Sequence, residues 1–304
     1  MLTAGMDVGG TNFRVGVFDG CDIVWEKRFE ADFSRLCSTR SALEAESAIV
    51  ATMASALSEA CHEYPEIRAI GIGFPGFIDP ETMRVASSPN LPGLVDVDFA
   101  KPLSSRFHVP VIVENDALSA AYGEQVFSEW KSLIYVGLGT GVGGGLILEK
   151  KPYQGSHGVA MEIGHIIVEP GGRKCGCGNS GCLERYASAS GVTLSYHERE
   201  GKTLSSKEIA ILAQKGDASA LQSFDLAGSM LGFALSHILK VVDVTDVVIG
   251  GGLSESWGLL EKSFGKRLES DLIPVLRGKC VVRVSDSKDK AGMLGAARLA
   301  GNQI

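Results

Sequence analysis

The sequence has few of the features that mark membrane, secreted or nucleic-acid-binding proteins. No apolar run approaches the roughly 18 residues of a membrane span, and Asp7 interrupts the N-terminus before the apolar part of a secretory signal could form. Basic residues number 29 against 36 acidic ones, and the resulting net charge of −7 does not favour nucleic acid or an anionic membrane. We therefore expect a soluble, cytoplasmic protein with neither nucleic acid nor a membrane as a partner.

A disulfide framework is also not expected, because the seven cysteines are an odd number in a chain without a signal peptide. Cys175, Cys177 and Cys182 lie within a stretch of eight residues. The other cysteines are scattered along the chain: Cys21, Cys37, Cys61 and Cys280. The cluster of three favours a metal site over a redox role.

Glycine is the residue in excess, at 38 of 304 residues, whereas average proteins contain roughly 7% glycine. Residues 2–20 and 132–155 each have the pattern of an apolar strand, a glycine-rich turn and a second strand. The two turns are 132 residues apart, counted from Gly9 to Gly141. Because helical patterns follow each hairpin, we expect a duplicated α/β unit with a cleft between its halves.

The length of the chain suits two domains better than one core. We place a smaller first domain at residues 1–117, joined by a C-terminal helix at about 289–304. A larger second domain is expected at residues 118–288 and carries the cysteine cluster.

Apolar spacing predicts several individual elements. A helix is expected over residues 41–64, with one buried face. Buried strands are expected within residues 67–76 and from residue 246, and a helix rich in small residues at 291–301. The buried face of the first helix is expected to comprise Leu43, Ile49, Met53 and Leu57.

Neither of two formal G-x-G-x-x-G matches has the context of a dinucleotide site, which needs a helix to begin at the glycines. The first match runs into a proline-containing turn and the second into another apolar strand. A P-loop is excluded at Gly201-Lys202, because its first glycine would fall on Tyr196. The glycines of the two matches are Gly71, Gly73 and Gly76, and Gly139, Gly141 and Gly144.

Glycine-tipped hairpins can bring backbone N–H groups close to phosphate oxygens, since no Cβ stands in the way. Each hairpin here also carries a hydroxyl, on Thr11 and Thr140. Asp7 precedes the first glycines and could hold Mg²⁺ directly or through water. Taken singly, either hairpin could be an ordinary tight turn, but two matched hairpins favour a phosphate site.

Asp116 is the best candidate for a general base. It follows an apolar strand and begins a helical pattern, a position where α/β proteins bind ligands. A positioned aspartate can take the proton of a hydroxyl that attacks a phosphoryl group. Alternatively, Asn115 or Asp116 could simply cap the helix, and the two roles are compatible.

His165 completes a Cys₃His set with Cys175, Cys177 and Cys182. Four protein ligands close a tetrahedral zinc site and leave no position for catalytic water, so we expect a structural Zn²⁺. A disulfide or inert cysteines are the alternatives. Glu162 and Glu184 flank the set and could accept hydrogen bonds from a sugar's hydroxyls, although lone glutamates are usually surface residues.

With these motifs assembled, the chain resembles the ROK family of repressors, open reading frames and sugar kinases over nearly its whole length. The matching segments, in chain order, are DVGGTN from Asp7, ENDA from Glu114, GLGTGVGGG from Gly137, MEIGH from Met161, CGCGNSGCLE from Cys175 and VVIGGGLS from Val247. The joint order and spacing of these motifs are specific.

The resemblance implies an actin-like ATPase fold with two RNase H-like α/β domains around a cleft, and a homodimer or homotetramer. It implies an ATP-dependent hexose kinase with Asp116 as the base for a sugar hydroxyl, usually O6. The implied sugar-binding residues are Gly76, Asn90, Asn115, Asp116, Glu162, His165 and Glu184. The implied nucleotide-binding residues are Asp7, Gly9, Gly10, Thr11, Asn12, Gly139, Thr140, Gly141, Gly250, Gly251 and Gly252.

CLERYAS at Cys182–Ser188 is most similar to glucokinase-type members, so glucose is the favoured sugar. Members that phosphorylate allose, N-acetylglucosamine, N-acetylmannosamine or fructose share most of the motifs. Met161 stands where the family usually has glycine, and could reshape the pocket or displace Glu162.

Three other functions remain to be weighed. A ROK repressor would carry a helix-turn-helix before the first motif, where six residues precede Asp7. A zinc hydrolase is opposed by the closed ligand set. The third alternative is a sugar sensor that has lost catalysis through the change at Met161.

Overall fold

The computed structural model describes residues 1–10, 12–287 and 290–304 as a mixed α/β protein. The strands are β1 Leu2–Val8, β2 Asn12–Asp19, β3 Asp22–Glu30, β4 Ile70–Phe74, β5 Phe77–Ile78, β6 Val85–Ser87, β7 Val95–Val97, β8 Val111–Asn115, β9 Leu133–Leu138, β10 Val142–Leu148, β11 Lys151–Pro152, β12 Asp246–Gly250 and β13 Val281–Val284. The helices are α1 Phe33–Thr39, α2 Ala42–Glu63, α3 Ala100–Phe107, α4 Asp116–Val126, α5 Glu184–Ala187, α6 Ala189–Glu200, α7 Ser206–Gln214, α8 Ala218–Val242, α9 Trp257–Asp271 and α10 Lys290–Gly301. Short 3₁₀ turns lie at Ile163–His165, Gly252–Ser256 and Pro274–Leu276.

Two sheets repeat one strand order. The first runs β3-β2-β1-β4-β8 and the second β11-β10-β9-β12-β13. In the first sheet β1 is antiparallel to β2 and parallel to β4, and β4 is parallel to β8. In the second, β9 is parallel to β12 and β12 to β13, while β10 and β11 are antiparallel. The repeated order confirms the predicted duplication of an α/β unit that begins with a glycine-tipped hairpin.

The chain packs into two compact units. The first comprises residues 1–132, 145–160 and 287–304, and the second residues 133–144 and 161–286. This division differs from the boundary expected after residue 117, because α4 packs against α10 and so stays with the first unit. The first unit also holds more residues than the second, where the sequence suggested fewer.

The core of the first unit lies between its sheet and the helices that pack on it. All five residues of β4 are buried. Helix α2 begins with a Ser41–Glu44 capping box and buries Ile49, Met53 and Leu57 completely. Leu43 is 73% exposed, so its predicted place on that face is wrong. Six residues separate Leu43 from Ile49, which turns it about 120° away around the helix.

Helix α8 is long and apolar enough to cross a membrane by length and composition, with a mean hydropathy of 1.3 over an 18-residue window. Half of that window is buried inside the protein. Gly228 and Gly232 lie there against the backbone of α9, where a Cβ would not fit. A helix in a protein core passes the same test, so this helix alone is weak support for a membrane span.

Candidate functional site

The first glycine hairpin joins β1 to β2. The Gly9 N–H donates to the Asn12 carbonyl across the turn (2.9 Å). Asp7 lies near the end of β1, and its carboxylate faces Gly292 in the first turn of α10. A Cβ at Gly292 would lie 2.7 Å from Asp7 Oδ2, so the glycine permits this approach. Gly10 is in the same turn, and Thr11 lies outside the described residues.

The second glycine hairpin joins β9 to β10, and the Gly139 N–H donates to the Gly141 carbonyl (3.0 Å). The segment that begins α5 and α6 supports it from one side. The Ala189 N–H donates to the Gly139 carbonyl (2.9 Å) and Ser190 Oγ to the Thr140 carbonyl (2.8 Å). Both matches to G-x-G-x-x-G therefore lack a following helix, since Gly71 and Gly73 lie inside β4.

Three of the predicted nucleotide-binding glycines, Gly250–Gly252, lie at the end of β12, a strand in the same sheet as the second hairpin. Gly250 ends β12 and pairs in register with Gly137 of β9. Gly251 has a φ of +80°, in the region that favours glycine, and Gly252 begins a 3₁₀ turn. A Cβ at Gly250 would collide with the Tyr135 ring, which fills the space above both strands.

The structure resolves which residue caps α4. Asn115 Oδ1 accepts the Leu118 N–H (3.0 Å), so Asn115 is the N-cap and Asp116 is the first helical residue. Asn115 Nδ2 donates to the Gly76 carbonyl (3.0 Å), which brings together two of the predicted sugar-binding residues. Asp116 Oδ1 accepts the Ala117 N–H (2.8 Å). Asp116 therefore does not act as the N-cap of α4.

The environment of Asp116 suits a base. Burial raises the pKa of its carboxyl, while the hydrogen bond from the Ala117 N–H opposes that shift. A raised pKa makes a carboxylate a stronger base. The position at the start of α4 favours the ionised form, because a helix N-terminus carries partial positive charge.

Glu114 is a buried carboxylate that the sequence did not single out. It is 5% exposed, and it accepts hydrogen bonds from the Asn115 N–H (2.7 Å) and Gln154 Nε2 (2.6 Å). Burial raises the pKa of Glu114 to about 6, against those hydrogen bonds. An acidic residue inside an apolar strand was the available signal, but Gln154 is 40 residues away and its partnership is visible only in the fold.

Asn90 is exposed in the loop between β6 and β7. Ser88 in that loop is buried and donates from Oγ to the Pro75 carbonyl (2.7 Å). Gly76, at φ +145°, lies so close that a Cβ would meet the Ser87 carbonyl at 2.7 Å. The two loops predicted to border a sugar are therefore joined, although no described contact reaches the Asn90 side chain itself.

The Cys₃His set converges as predicted. The four candidate ligand atoms lie within 4.8 Å of one another. Cys175 Sγ is 3.7 Å from His165 Nδ1, and Cys177 Sγ is 3.6 Å from Cys182 Sγ. Ligands at usual tetrahedral zinc distances are about 3.4–3.8 Å apart, so the arrangement fits Zn²⁺.

The chemistry of the donors agrees with this fit. Burial, together with the neighbouring thiols, raises the pKa of Cys182 to about 12. Three crowded thiolates need a cation between them, and a divalent metal deprotonates the thiols that bind it. The residues present can therefore hold a zinc ion.

Two glutamates adjoin this set in the second unit. Glu162 Oε2 is 4.0 Å from His165 Nε2, whereas the other ring nitrogen, Nδ1, is the one near Cys175 Sγ. Glu184 Oε1 is 3.9 Å from Cys175 Sγ, and its Oε2 accepts the Val142 N–H of the second hairpin (3.2 Å). The metal set thus gathers both predicted carboxylates.

Met161 has the backbone conformation of a glycine, with φ +66°. Its carbonyl accepts the Ile163 N–H (2.6 Å) and lies against Gly144 of β10. Glu162 remains beside His165, so Met161 does not displace it. Having methionine where the family usually has glycine instead places a bulky side chain on a left-handed backbone.

Comparison with known proteins agrees with these motifs. The ROK family pattern matches residues 3–303, almost the entire chain. The chain belongs to the ROK family. Its relatives include a glucokinase from Streptomyces coelicolor, 32% identical over 98% of this chain and 97% of that protein. An N-acetyl-D-glucosamine kinase from Salmonella paratyphi B is also 32% identical, over 97% of this chain and 98% of that protein.

Among solved structures, a ROK glucokinase from Streptomyces griseus in complex with glucose and AMPPNP is 31% identical. The match covers 99% of this chain and 100% of the glucokinase chain, with a TM-score of 0.84. The expected actin-like ATPase fold, shared by ROK sugar kinases, is thus confirmed.

Proposed function

We propose that this ROK protein is an ATP-dependent hexose kinase that transfers the γ-phosphate of ATP to a sugar hydroxyl, O6 of glucose being favoured. The observation that carries this proposal is Asp116, released from capping by Asn115 and with a raised pKa at the end of β8. The glucokinase and N-acetylglucosamine kinase relatives support the same reaction class.

In the proposed reaction, Asp116 takes the proton of the attacking hydroxyl. The hydroxyl oxygen forms a bond to the γ-phosphorus while the bond from that phosphorus to the β,γ-bridging oxygen breaks, and ADP leaves. The Ala117 N–H holds Asp116 Oδ1 and so orients Oδ2. Base catalysis of this kind contributes about 10²–10⁴-fold to a rate.

The two glycine hairpins are the proposed phosphate-binding elements. Their backbone N–H groups would bind phosphate oxygens, and Gly250–Gly252 would border the nucleoside. Asp7 would hold Mg²⁺, which when bound neutralises charge on the transferring phosphate. The roles of Gly9, Gly10, Thr11, Asn12 and Thr140 rest on the family resemblance.

The sugar would be bound by the side chains already described. Asn115 and Gly76 are joined by a hydrogen bond, and His165 presents Nε2 beside Glu162 once its Nδ1 faces the thiols. A Zn²⁺ held by His165 and the three cysteines would fix the imidazole in this orientation. The remaining proposed sugar-binding residues are Asn90 and Glu184.

We further propose a cytoplasmic location, since the substrates are metabolites of that compartment, and a dimer or tetramer on the family resemblance. The relatives named above act on two different sugars, which supports a hexose but leaves the choice to measurement.

The decisive experiment measures ADP release with Mg-ATP across glucose, N-acetylglucosamine, N-acetylmannosamine, allose and fructose. We expect turnover on at least one sugar, and Asp116→Asn should lower kcat about 10²–10⁴-fold while the nucleotide still binds. Sugar binding without turnover on any sugar would favour the non-catalytic sensor. Full activity in Asp116→Asn would remove Asp116 as the base.

A further inference from the structure

We propose that Glu184 is a positioning residue for the second glycine hairpin (Gly139–Val142), and that through it the Cys₃His set governs affinity for the nucleotide's phosphates. The proposal rests on the proposed function, which assigns phosphate binding to this hairpin. It goes beyond it, because the metal site then supports the nucleotide side as well as the sugar side.

The first observation is the contact between Glu184 and the hairpin. Glu184 Oε2 accepts the Val142 N–H at 3.2 Å. The same oxygen lies so close to Gly141 that a Cβ there would overlap it. Gly141 is therefore required by the carboxylate packed against it, in addition to any need of the turn itself.

The second observation is that this contact is one of three from a single short segment. Ala189 donates its N–H to the Gly139 carbonyl (2.9 Å), and Ser190 Oγ donates to the Thr140 carbonyl (2.8 Å). Ser188 Oγ, in turn, donates to the Glu184 carbonyl (2.6 Å). Residues 184–190 thus hold each residue from Gly139 to Val142 by a hydrogen bond or a close contact.

The third observation connects this segment to the metal ligands. Glu184 is two residues after Cys182, and the Arg185 N–H donates to the Cys182 carbonyl (3.0 Å). The Leu183 N–H donates to the carbonyl of Ile166, the residue after His165 (2.9 Å). Glu184 Oε1 is 3.9 Å from Cys175 Sγ. The start of α5 is therefore held by backbone hydrogen bonds at or next to two of the metal ligands, Cys182 and His165.

The physical consequence follows from the flexibility of glycine. A glycine-rich turn loses more backbone entropy on ordering than other sequences do. In an unsupported hairpin this loss would occur when phosphate binds and would weaken binding. Preorganisation by the 184–190 segment removes that cost from binding. Glu184 needs only to accept a hydrogen bond for this role, so a neutral acceptor of the same shape should serve.

The test measures binding of Mg-AMPPNP by calorimetry, without sugar, to the full-length zinc-loaded protein. Glu184→Ala should weaken binding about ten-fold, whereas Glu184→Gln should stay within about three-fold of wild type because it keeps the acceptor. Ser190→Ala should weaken binding about three-fold to five-fold. Ser219→Ala, which removes a hydrogen bond to Glu200 elsewhere in the same unit, is the matched control and should bind as wild type does.

Zinc content and melting temperature are recorded for each variant, and sugar affinity is measured separately. A role of Glu184 in sugar binding alone would leave nucleotide affinity of Glu184→Ala unchanged and would overturn the proposal. If Glu184→Ala loses zinc or unfolds, Ser190→Ala decides, since it touches no thiol, and wild-type affinity in that variant overturns the proposal.

A final arm removes the metal with a chelator under reducing conditions. Nucleotide affinity should fall and should return when Zn²⁺ is restored. Unchanged affinity in metal-free protein that is still folded would overturn the link to the metal set. Failure of the wild-type protein to bind Mg-AMPPNP at all would instead overturn the proposed function.

Discussion

Two methionines adopt a left-handed backbone, Met83 at φ +58° and Met161 at φ +66°. A side chain in this region costs about 1–2 kcal/mol. At Met161 the turn that aims Glu162 at His165 imposes the conformation, because the Met161 carbonyl accepts the Ile163 N–H. Methionine in place of the usual family glycine therefore has its effect as conformational strain in the backbone at Met161.

Met161→Gly should raise the free energy of unfolding by roughly 0.5–1 kcal/mol, since relief of strain exceeds the added entropy of the unfolded chain. Urea denaturation of both proteins measures this. Met83→Gly, a methionine in the same conformation, should change stability in the same direction. A destabilised Met161→Gly beside a stabilised Met83→Gly would mean that the Met161 side chain contributes more by packing than its backbone costs.

Gly292 is the residue that lets α10 approach the Asp7 carboxylate. In Gly292→Ala, the new Cβ would start 2.7 Å from Asp7 Oδ2, and the carboxylate would have to rotate away. If Asp7 holds Mg²⁺, we expect kcat to fall about ten-fold and the Mg²⁺ concentration for half-maximal rate to rise.

Gly301→Ala is the control for that experiment, because it lies in the same helix and its Cβ would meet only ordinary contacts at 3.4 Å or more. The variant should keep wild-type kinetics. Gly292→Ala added to Asp7→Ala should cost nothing further, since both act through one carboxylate. Additive losses would show that Gly292 matters for another reason.

The sequence predicted those parts of the site whose residues are neighbours in the chain. Cys175, Cys177 and Cys182 could be assigned to a metal set because a short loop keeps them together. The sequence could not decide whether Asn115 or Asp116 is the cap, since Asn and Asp are both favoured N-cap residues. The hydrogen bond from the Leu118 N–H to Asn115 Oδ1, which decides it, is visible only in the structure.

At the scale of elements, the pair α8 and α9 packs through glycine. Gly228 has the Leu260 carbonyl and Ser263 Oγ where a Cβ would project. The sequence does not reveal which glycines face a partner helix, because composition carries no information on interhelical distance. Similar close approaches bring α10 onto the first sheet at Gly5 and Gly71.

Gly228→Ala should lower the free energy of unfolding by about 1–3 kcal/mol, because the added methyl must push the two helices apart. Gly265→Ala on α9 is the matched control, since no atom lies within 4 Å of its would-be Cβ. That change should stabilise the protein by up to about 1 kcal/mol through helix propensity. Thermal unfolding of the two variants distinguishes packing from propensity, and equal effects would contradict the close contact.

For the whole molecule, the duplication of an α/β unit could be predicted from the two glycine hairpins, since each marks the first turn of a sheet, but the strand order could not. The unit boundaries could not be placed from sequence, because the division falls inside β10, between Gly144 and Gly145, and α4 follows its partner α10. The apolar pattern of β10 is continuous across this boundary, so it does not indicate that the strand passes from one unit to the other.

Metal removal tests the stability of the second unit. A metal bound only by the folded chain stabilises it, so chelation in a reducing buffer should lower the melting temperature by about 5–10 °C, and added Zn²⁺ should restore it. Cys177→Ser should show the lower temperature without chelator. Well under one zinc per chain in freshly purified protein would contradict the assignment.

The first unit is assembled from three stretches of chain, and the last of them, residues 287–304, carries α10. Met293 and Ala297 of α10 are fully buried in that unit. The ribosome makes this helix only after every residue of the second unit. During synthesis, the unit begun first is therefore the one completed last, and the second unit can fold while the first still lacks part of its core.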